Sequence, residues 1–519
     1  MKLVTRAVVA SLSLSNAVFA APGWPSWPKP AKPVFETTCA GKKYAYNELA
    51  GYGYLAGDFR DKYGDTLGGF GSSAAIDKKS WKKKGKTWTG VLYALPDRGW
   101  NTEGSTNYNP RVHKLKIKLT PQEGATVQRP SKPNIEFEYL DTILLRAPDG
   151  SPTTGLDADA QGGLNYHGFP LLPAATFTGD GYGNAGPGGK RVAIDSEGIF
   201  LTEDGGFWIS DEYGPGIYHF NSRGRMINAI TAPDALLPLR NASVSFSSNS
   251  PPRFNPEITV NPTNPTQGRS NNQGFEGLTV SRDGDTLYVL LQSAAMQEGG
   301  AKSSTRKYTR FLKYDISGRH GKPRYLAEYV VPLPTYINAD GETRIAAQSE
   351  VHYISKDQFL ILARDSNAGH GVDSSTSIYR HVDIFDISKA TNVKGRQHDS
   401  FNASIASSTG QLNANIKPAT YCNFIDYNIN AQLNRFGVHN GGEQDAGLLN
   451  EKWESLSVLP AERDGEYYLI TLSDNDFITQ NGYIKGGEIT YADESGYNLD
   501  NQALAFKITL PKGAKPLIG

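Results

Sequence analysis

The chain has 519 residues, with 53 Lys plus Arg balanced by 53 Asp plus Glu. Zero net charge leaves no electrostatic footprint for nucleic acid or for an anionic membrane surface. With 55 glycines and 27 tyrosines against three methionines, the composition favours turns and strands over long helices.

Met1, Lys2 and Arg6 precede an apolar stretch that ends near Phe19-Ala20-Ala21. A basic start, a short apolar core and small residues at the junction make residues 1–20 a secretory signal peptide, too short to span a bilayer. Export then exposes Asn241-Ala242-Ser243 and Asn402-Ala403-Ser404 as glycosylation acceptors. Pro25, Pro28, Pro30 and Pro33 mark residues 21–42 as an extended leader, and 43–519 reads as a single domain. Cys39 and Cys422 are the two cysteines; an oxidising compartment favours a bridge between them, with two buried free thiols as the alternative.

A degenerate repeat follows. Its first copy runs through residues 69–76, 91–98, 112–119 and 135–140, with a lysine cluster around Trp81 that reads as a solvated loop. Four further copies open at Asp195-Ser196-Glu197, Gly274-Phe275-Glu276, Gln348-Ser349-Glu350 and Trp453-Glu454-Ser455. Each begins a short strand with a Glu, passes a polar turn, and continues into a more apolar strand. Those second strands close on Asp211, Gln292, Arg364-Asp365 and Asp474; third strands of alternating character come next.

Such units cannot each bury two faces alone, whereas radial stacking buries a shared core and leaves only short edges. The expected fold class is therefore all-β: a β-propeller of five blades, closed by an N-terminal strand near Tyr44 that completes the last blade. A Cys39–Cys422 bridge would reinforce that seam. Residues 391–450, with a helix-like stretch at 425–433, leave room for a sixth blade, and a stacked β-sandwich pair is the structural alternative.

In a propeller the first strands line a central channel, so their glutamates converge at one rim. Antiparallel neighbours bring the ends of the second strands to the same rim. The expected metal ligands are Glu197, Glu276, Glu350, Glu454 and Asp474. The expected catalytic set is Asp97, Arg98, Asp211, Glu212, Arg364 and His370, the last on a Gly-flanked loop and able to move a proton near neutral pH. Converging carboxylates must protonate, pair or bind a cation, and hard oxygens suit Ca²⁺ among divalent ions. The alternative is that Arg98, Arg364 and backbone amides neutralise them with no metal. Arg319-His320-Gly321 reads as a turn rather than a phosphatase signature. Asp157-Ala158-Asp159 starts like a calcium loop but meets Gly168 where the closing Glu belongs. No Gly-x-Ser-x-Gly elbow, His-Glu-x-x-His or Walker loop is present, which argues against a serine esterase, a zincin and a P-loop enzyme.

The strings Asp195-Ser196-Glu197-Gly198, Ser210-Asp211-Glu212-Tyr213-Gly214-Pro215 and Phe275-Glu276-Gly277-Leu278 resemble the phytase-like family, also described as having esterase-like activity of phytase. The resemblance extends over roughly 68–510 and implies an extracellular propeller that hydrolyses phosphoesters or carboxylic esters. Glu197, Asp211, Glu212, Glu276 and Glu454 fall on matching positions. Glu350 lacks the following glycine, and Ser72-Ser73 stand in place of the first copy's acid. The expected protein is a secreted, monomeric, metal-dependent hydrolase of a small ester or phosphoester, with neither nucleic acid nor membrane as partner. A lactonase-like hydrolase and a non-catalytic binding propeller are the other two readings.

Overall fold

Short apolar strands punctuated by glycine turns fold here into successive antiparallel meanders. The computed structural model describes residues 32–318 and 322–519. The expected signal peptide, the first half of the leader (21–31) and Arg319-His320-Gly321 lie outside the described residues. Among the described residues the regular structure is mostly strand, with almost no helix.

Sheet one pairs Ser73–Ile76, Thr87–Leu95, Arg111–Leu119 and Ile135–Leu144 in sequence order. Sheet two pairs Ser196–Leu201, Phe207–Asp211, Gly216–Phe220 and Met226–Thr231. Sheet three runs Phe275–Val280, Thr286–Leu291, Tyr308–Asp315 and Arg324–Pro332. Sheet four runs Ala347–Tyr353, Gln358–Arg364, Arg380–Asp386 and Thr420–Asp426. The last group takes Ser457–Pro460, Glu466–Asp474 and Asn501–Thr509 from the C-terminal part, then Lys42–Leu55 and Phe35–Cys39 from the N-terminal part. A single parallel pairing of Gly53 with Ile135 joins it to sheet one. A Cβ at Gly53 would lie 2.1 Å from the Ile135 carbonyl oxygen, so only glycine permits that approach.

Burial follows position in each meander. The first strands of sheets one and three are buried at every residue. Arg111–Leu119 alternates buried and half-buried over most of its length, the period-two pattern of a strand with one face toward a core. Apolar clusters fill the spaces between sheets one and two (Leu95, Val112, Ile199, Phe207), two and three (Trp208, Ile217, Val289), three and four (Tyr288, Phe311, Phe359), and four and five (Leu362, Val382, Phe506). Another lies between five and one (Leu92, Leu115, Ile470, Ala505).

First strands also bond to one another directly. The Ile199 amide donates to Ser73 Oγ, Ser457 Oγ to the Ala74 carbonyl, and the Leu278 amide to Glu350. The C-terminal segment also closes in on the first strands: Leu517 donates its amide to the Tyr353 carbonyl and Gly519 to that of Val458.

Three expectations are resolved by these elements. Cys39 and Cys422 form a disulfide, tying the edge strand Phe35–Cys39 to sheet four. Among the described residues, 391–450 holds no further four-stranded sheet; it supplies the last strand of sheet four and two short helices, Arg396–Asp399 and Asn430–Leu433. The lysine cluster is not a simple loop: Lys82–Lys84 pairs with 87–89, and Trp81 stacks on Trp88 at 5.5 Å while the lysines stay in water.

Candidate functional site: an acidic mouth

The Glu-Gly pairs of the repeats have a steric origin. At Glu197-Gly198 and Glu276-Gly277 the pairing of first and second strands slips, between Ser196 and Ile199 and between Phe275 and Leu278. A bulge of this kind re-aims a side chain away from the pleat. The glycine lets the neighbouring first strand come close: a Cβ at Gly198 would sit 2.6 Å from the Glu276 carbonyl oxygen, and one at Gly277 2.7 Å from the Val351 amide.

The glutamates so aimed join residues from the strand ends. Asp195, Glu197 and Glu212 each bring an oxygen within 4.8 Å of the others, as do Asp97, Asp474 and Asp476. Glu276 and Glu454 lie within electrostatic reach of Glu197. Four cations face these eight carboxyls. Arg98 pairs with Asp195 at 2.9 Å, Arg364 with Glu454 at 2.5 Å, and Lys452 with Asp476 at 2.7 Å and Asp474 at 3.3 Å. Arg269, bonded to the carbonyls of Tyr213 and Phe246, acts on Asp195 and Glu212 from behind.

Carboxyls therefore outnumber cations two to one in a buried place. Burial, then the charges of Glu276 and Asp195, push Glu197 well above the usual carboxylate range. Burial, then Glu212 and Glu454, do the same to Glu276. Burial, then Asp195, raises Glu212 to about 8. Burial followed by Asp474 raises Asp97. Burial alone would lower Lys452, but Asp474, Asp476, Glu454 and Asp97 outweigh it and hold the ammonium charged. Two oxygens of the group, Asp195 Oδ1 and Glu276 Oε2, are buried with no hydrogen-bond partner among the described residues. An oxygen-only donor set with two buried, unpartnered oxygens fits a hard divalent cation such as Ca²⁺ or Mg²⁺.

The family model described as "Phytase-like: Esterase-like activity of phytase" matches residues 68–477, a span containing every member of this mouth. The chain belongs to the Phytase-like family. A relative from Arthroderma benhamiae, carried under the name "Uncharacterized secreted protein", is 52% identical over 464 residues, covering 86% of this chain and 90% of the relative. Among solved structures, a luciferin-regenerating enzyme aligns at a TM-score of 0.27 with 11% identity, over 87% of this chain and 95% of that one. An N-acetylgalactosamine deacetylase from F. plautii aligns at 0.29 with 7% identity, over 89% and 95%. Both likenesses are too loose to bear on chemistry.

Within this Phytase-like chain, Glu197, Glu276, Glu454 and Asp474 of the expected metal set meet at the mouth, with Asp97, Arg98, Glu212 and Arg364 of the expected catalytic set. Three residues stand elsewhere. Glu350 accepts from Ser73 Oγ at 2.6 Å, the Leu278 amide at 2.9 Å and its own neighbour's amide at Val351. Burial lifts its pKa to about 8, and no carboxylate adds to the shift, so it clamps three sheets together rather than joining the acidic group. Asp211 is filled by the Asp195 and Gly214 amides and the Tyr218 hydroxyl, all within 2.9 Å, and so shapes the turn that presents Glu212. His370 lies edge-on to Tyr497 at 5.8 Å, with Asp445 and His439 as neighbours, and among the described residues no side-chain hydrogen bond or ion pair links it to the mouth.

Besides Arg269, which lies in no strand, the repeat pattern passes over Asp195 and Lys452. Both sit two positions before a selected glutamate, Asp195 before Glu197 and Lys452 before Glu454.

Proposed function

We propose that the chain is a secreted hydrolase of phosphoesters or carboxylic esters that works with a divalent cation, Ca²⁺ in the first place. The cation would be held by Asp195, Glu197 and Glu212, with Glu276 beside them, at the mouth of a five-bladed β-propeller whose last blade is completed by Lys42–Leu55. One observation carries this reading: buried carboxyls exceed the cations facing them, and two of their oxygens have no partner. Family membership supports the hydrolytic class, and the relative's name supports export, in keeping with the signal-peptide pattern at residues 1–20. Asn241 and Asn402 are exposed, as glycan acceptors on an exported chain must be.

The circular succession of apolar clusters, one of them between sheets five and one, supports a ring over a stacked sandwich. The first strands, lining the ring's centre, explain why their glutamates meet.

A bound divalent ion would polarise the scissile ester or phosphoester and acidify a water. The chain's own residues do the rest. Arg98 and Arg364 each keep a buried Nε with no acceptor, directing positive charge at an anionic substrate oxygen. Glu212, raised to about 8 by burial and Asp195 in the ion-free chain, would give up that proton on holding the ion and act as a carboxylate ligand. The substrate is accordingly a small ester or phosphoester, and the working unit a monomer with no nucleic-acid or membrane partner.

The test is turnover of p-nitrophenyl phosphate, short p-nitrophenyl esters and simple lactones by the purified chain. EDTA is expected to abolish turnover and Ca²⁺ to restore it, with Glu197→Gln abolishing the response to Ca²⁺. Turnover indifferent to EDTA overturns the cation role, and inertness toward every ester overturns the hydrolase.

A further inference from the structure

The mouth divides into two halves with different counter-charges. In one half Asp97, Asp474 and Asp476 crowd their oxygens within 4.8 Å, and the Lys452 ammonium sits against them, 2.7 Å from Asp476 and 3.3 Å from Asp474. In the other, Asp195, Glu197 and Glu212 are equally close but have no ammonium among them. Arg98 reaches only Asp195 Oδ2; Oδ1 stays buried and bare, as does Glu276 Oε2 nearby.

We infer that the mouth is built for two cations, of which the protein supplies one itself as the Lys452 ammonium and takes the other, a divalent ion, between Asp195, Glu197 and Glu212. This rests on the cation-bearing mouth proposed above and assigns each half its occupant. A lysine head is a compact, strongly hydrated point charge with three donors, the side chain closest in character to a small bound ion. It is held in place from behind: Trp453, the next residue, faces the opposite way into the core and donates Nε1 to the Asn450 carbonyl at 3.0 Å. Ser72 Oγ at 3.1 Å and the Asp476 amide at 2.6 Å complete Asp474. The Lys452 half is thus finished without a ligand, while the Asp195 half is left with unused oxygens. Removing the ammonium would leave three adjacent carboxylates and create a second oxygen cage of the kind divalent ions occupy.

Calcium titration calorimetry on the full-length chain tests this. The wild type is expected to bind one Ca²⁺, Lys452→Met two, and Lys452→Arg, which keeps the charge, one. A second pair of variants reads the division with Lys452 in place. Glu197→Gln is expected to abolish the single site, and Asp476→Asn to leave the stoichiometry at one. A wild-type stoichiometry of two, a single site in both the wild type and Lys452→Met, or loss of the site in Asp476→Asn with retention in Glu197→Gln overturns the inference while leaving a cation-bearing mouth intact. No binding by the wild type with one ion bound by Lys452→Met would retain the lysine's role and sink the proposed cation at Asp195. No binding by any variant sinks both.

Discussion

Arg310 in sheet three stands between Glu298 and Glu328, and all three side chains are fully buried. Its Nε and Nη2 donate to Glu298 and its Nη1 to Glu328 and the His398 carbonyl. The remaining oxygen capacity is taken by the Ile405 amide on Glu298 and the Tyr325 hydroxyl on Glu328. At the mouth, equally buried carboxyls outnumber their cations, and Asp195 and Glu276 each keep a bare oxygen. Both are buried ionic clusters by composition. What separates a cluster that holds the fold from one that awaits a ligand is whether every oxygen is answered. Structural clusters are finished when the chain folds; binding clusters are not.

The sharpest way to break this contrast is to unbalance the finished cluster. Arg310→Met leaves two buried carboxylates without a counter-charge and is expected to cost about 3–5 kcal/mol of stability by denaturant unfolding. A loss under about 1 kcal/mol would mean that the cluster's closure is not what matters. The next largest effect belongs to the mouth. At a hundredfold excess over its dissociation constant, Ca²⁺ is expected to add about 2.7 kcal/mol to stability, seen as a rise in Tm that Glu197→Gln removes. Arg310→Met should leave that rise in place where it still folds.

The pH response comes third. Burial raises Asp211 to about 7 and Glu212 and Glu350 to about 8 in the folded chain, against roughly 4 for an unfolded carboxyl. Between those values the folded state holds protons that the unfolded state has lost, so stability falls as pH rises. Without added cation, Tm is expected to decline from about pH 5 to pH 8 and level off above the folded pKa values. Saturating Ca²⁺ should flatten the part of the decline due to Glu212, since an ion there replaces the proton. Smallest of all is Glu276→Gln. Its carboxyl is already pushed toward the neutral form, so the amide should change cation-free stability by less than about 1 kcal/mol while weakening Ca²⁺ binding.

Much of this arrangement is legible in the sequence, for reasons tied to particular residues. Glu197 and Glu276 announce themselves because the bulge that aims them also needs the glycine that follows. Glu350 shares their position in the repeat but not their glycine; Val351 follows it, and its carboxyl turns to Ser73 and the Leu278 amide instead. The fourth strands, Met226–Thr231, Arg324–Pro332 and Thr420–Asp426, escape a reading by pattern because each exposes part of its length and carries mixed polar residues. His370 misleads for a different reason. Its surroundings come from Asp445, His439 and Tyr497, and no local spacing can report a neighbourhood assembled from so far along the chain.

The seam formed by Lys42–Leu55 against Asn501–Thr509 has a consequence for biosynthesis. On the ribosome the N-terminal strand emerges first and its partner almost last, so a long unmatched edge must wait, through most of synthesis and export, for something to pair with. A nascent chain stalled before residue 500 would carry that waiting edge into the secretory lumen. Holdase chaperones there, rather than the finished protein's own stability, would decide how much of the product survives.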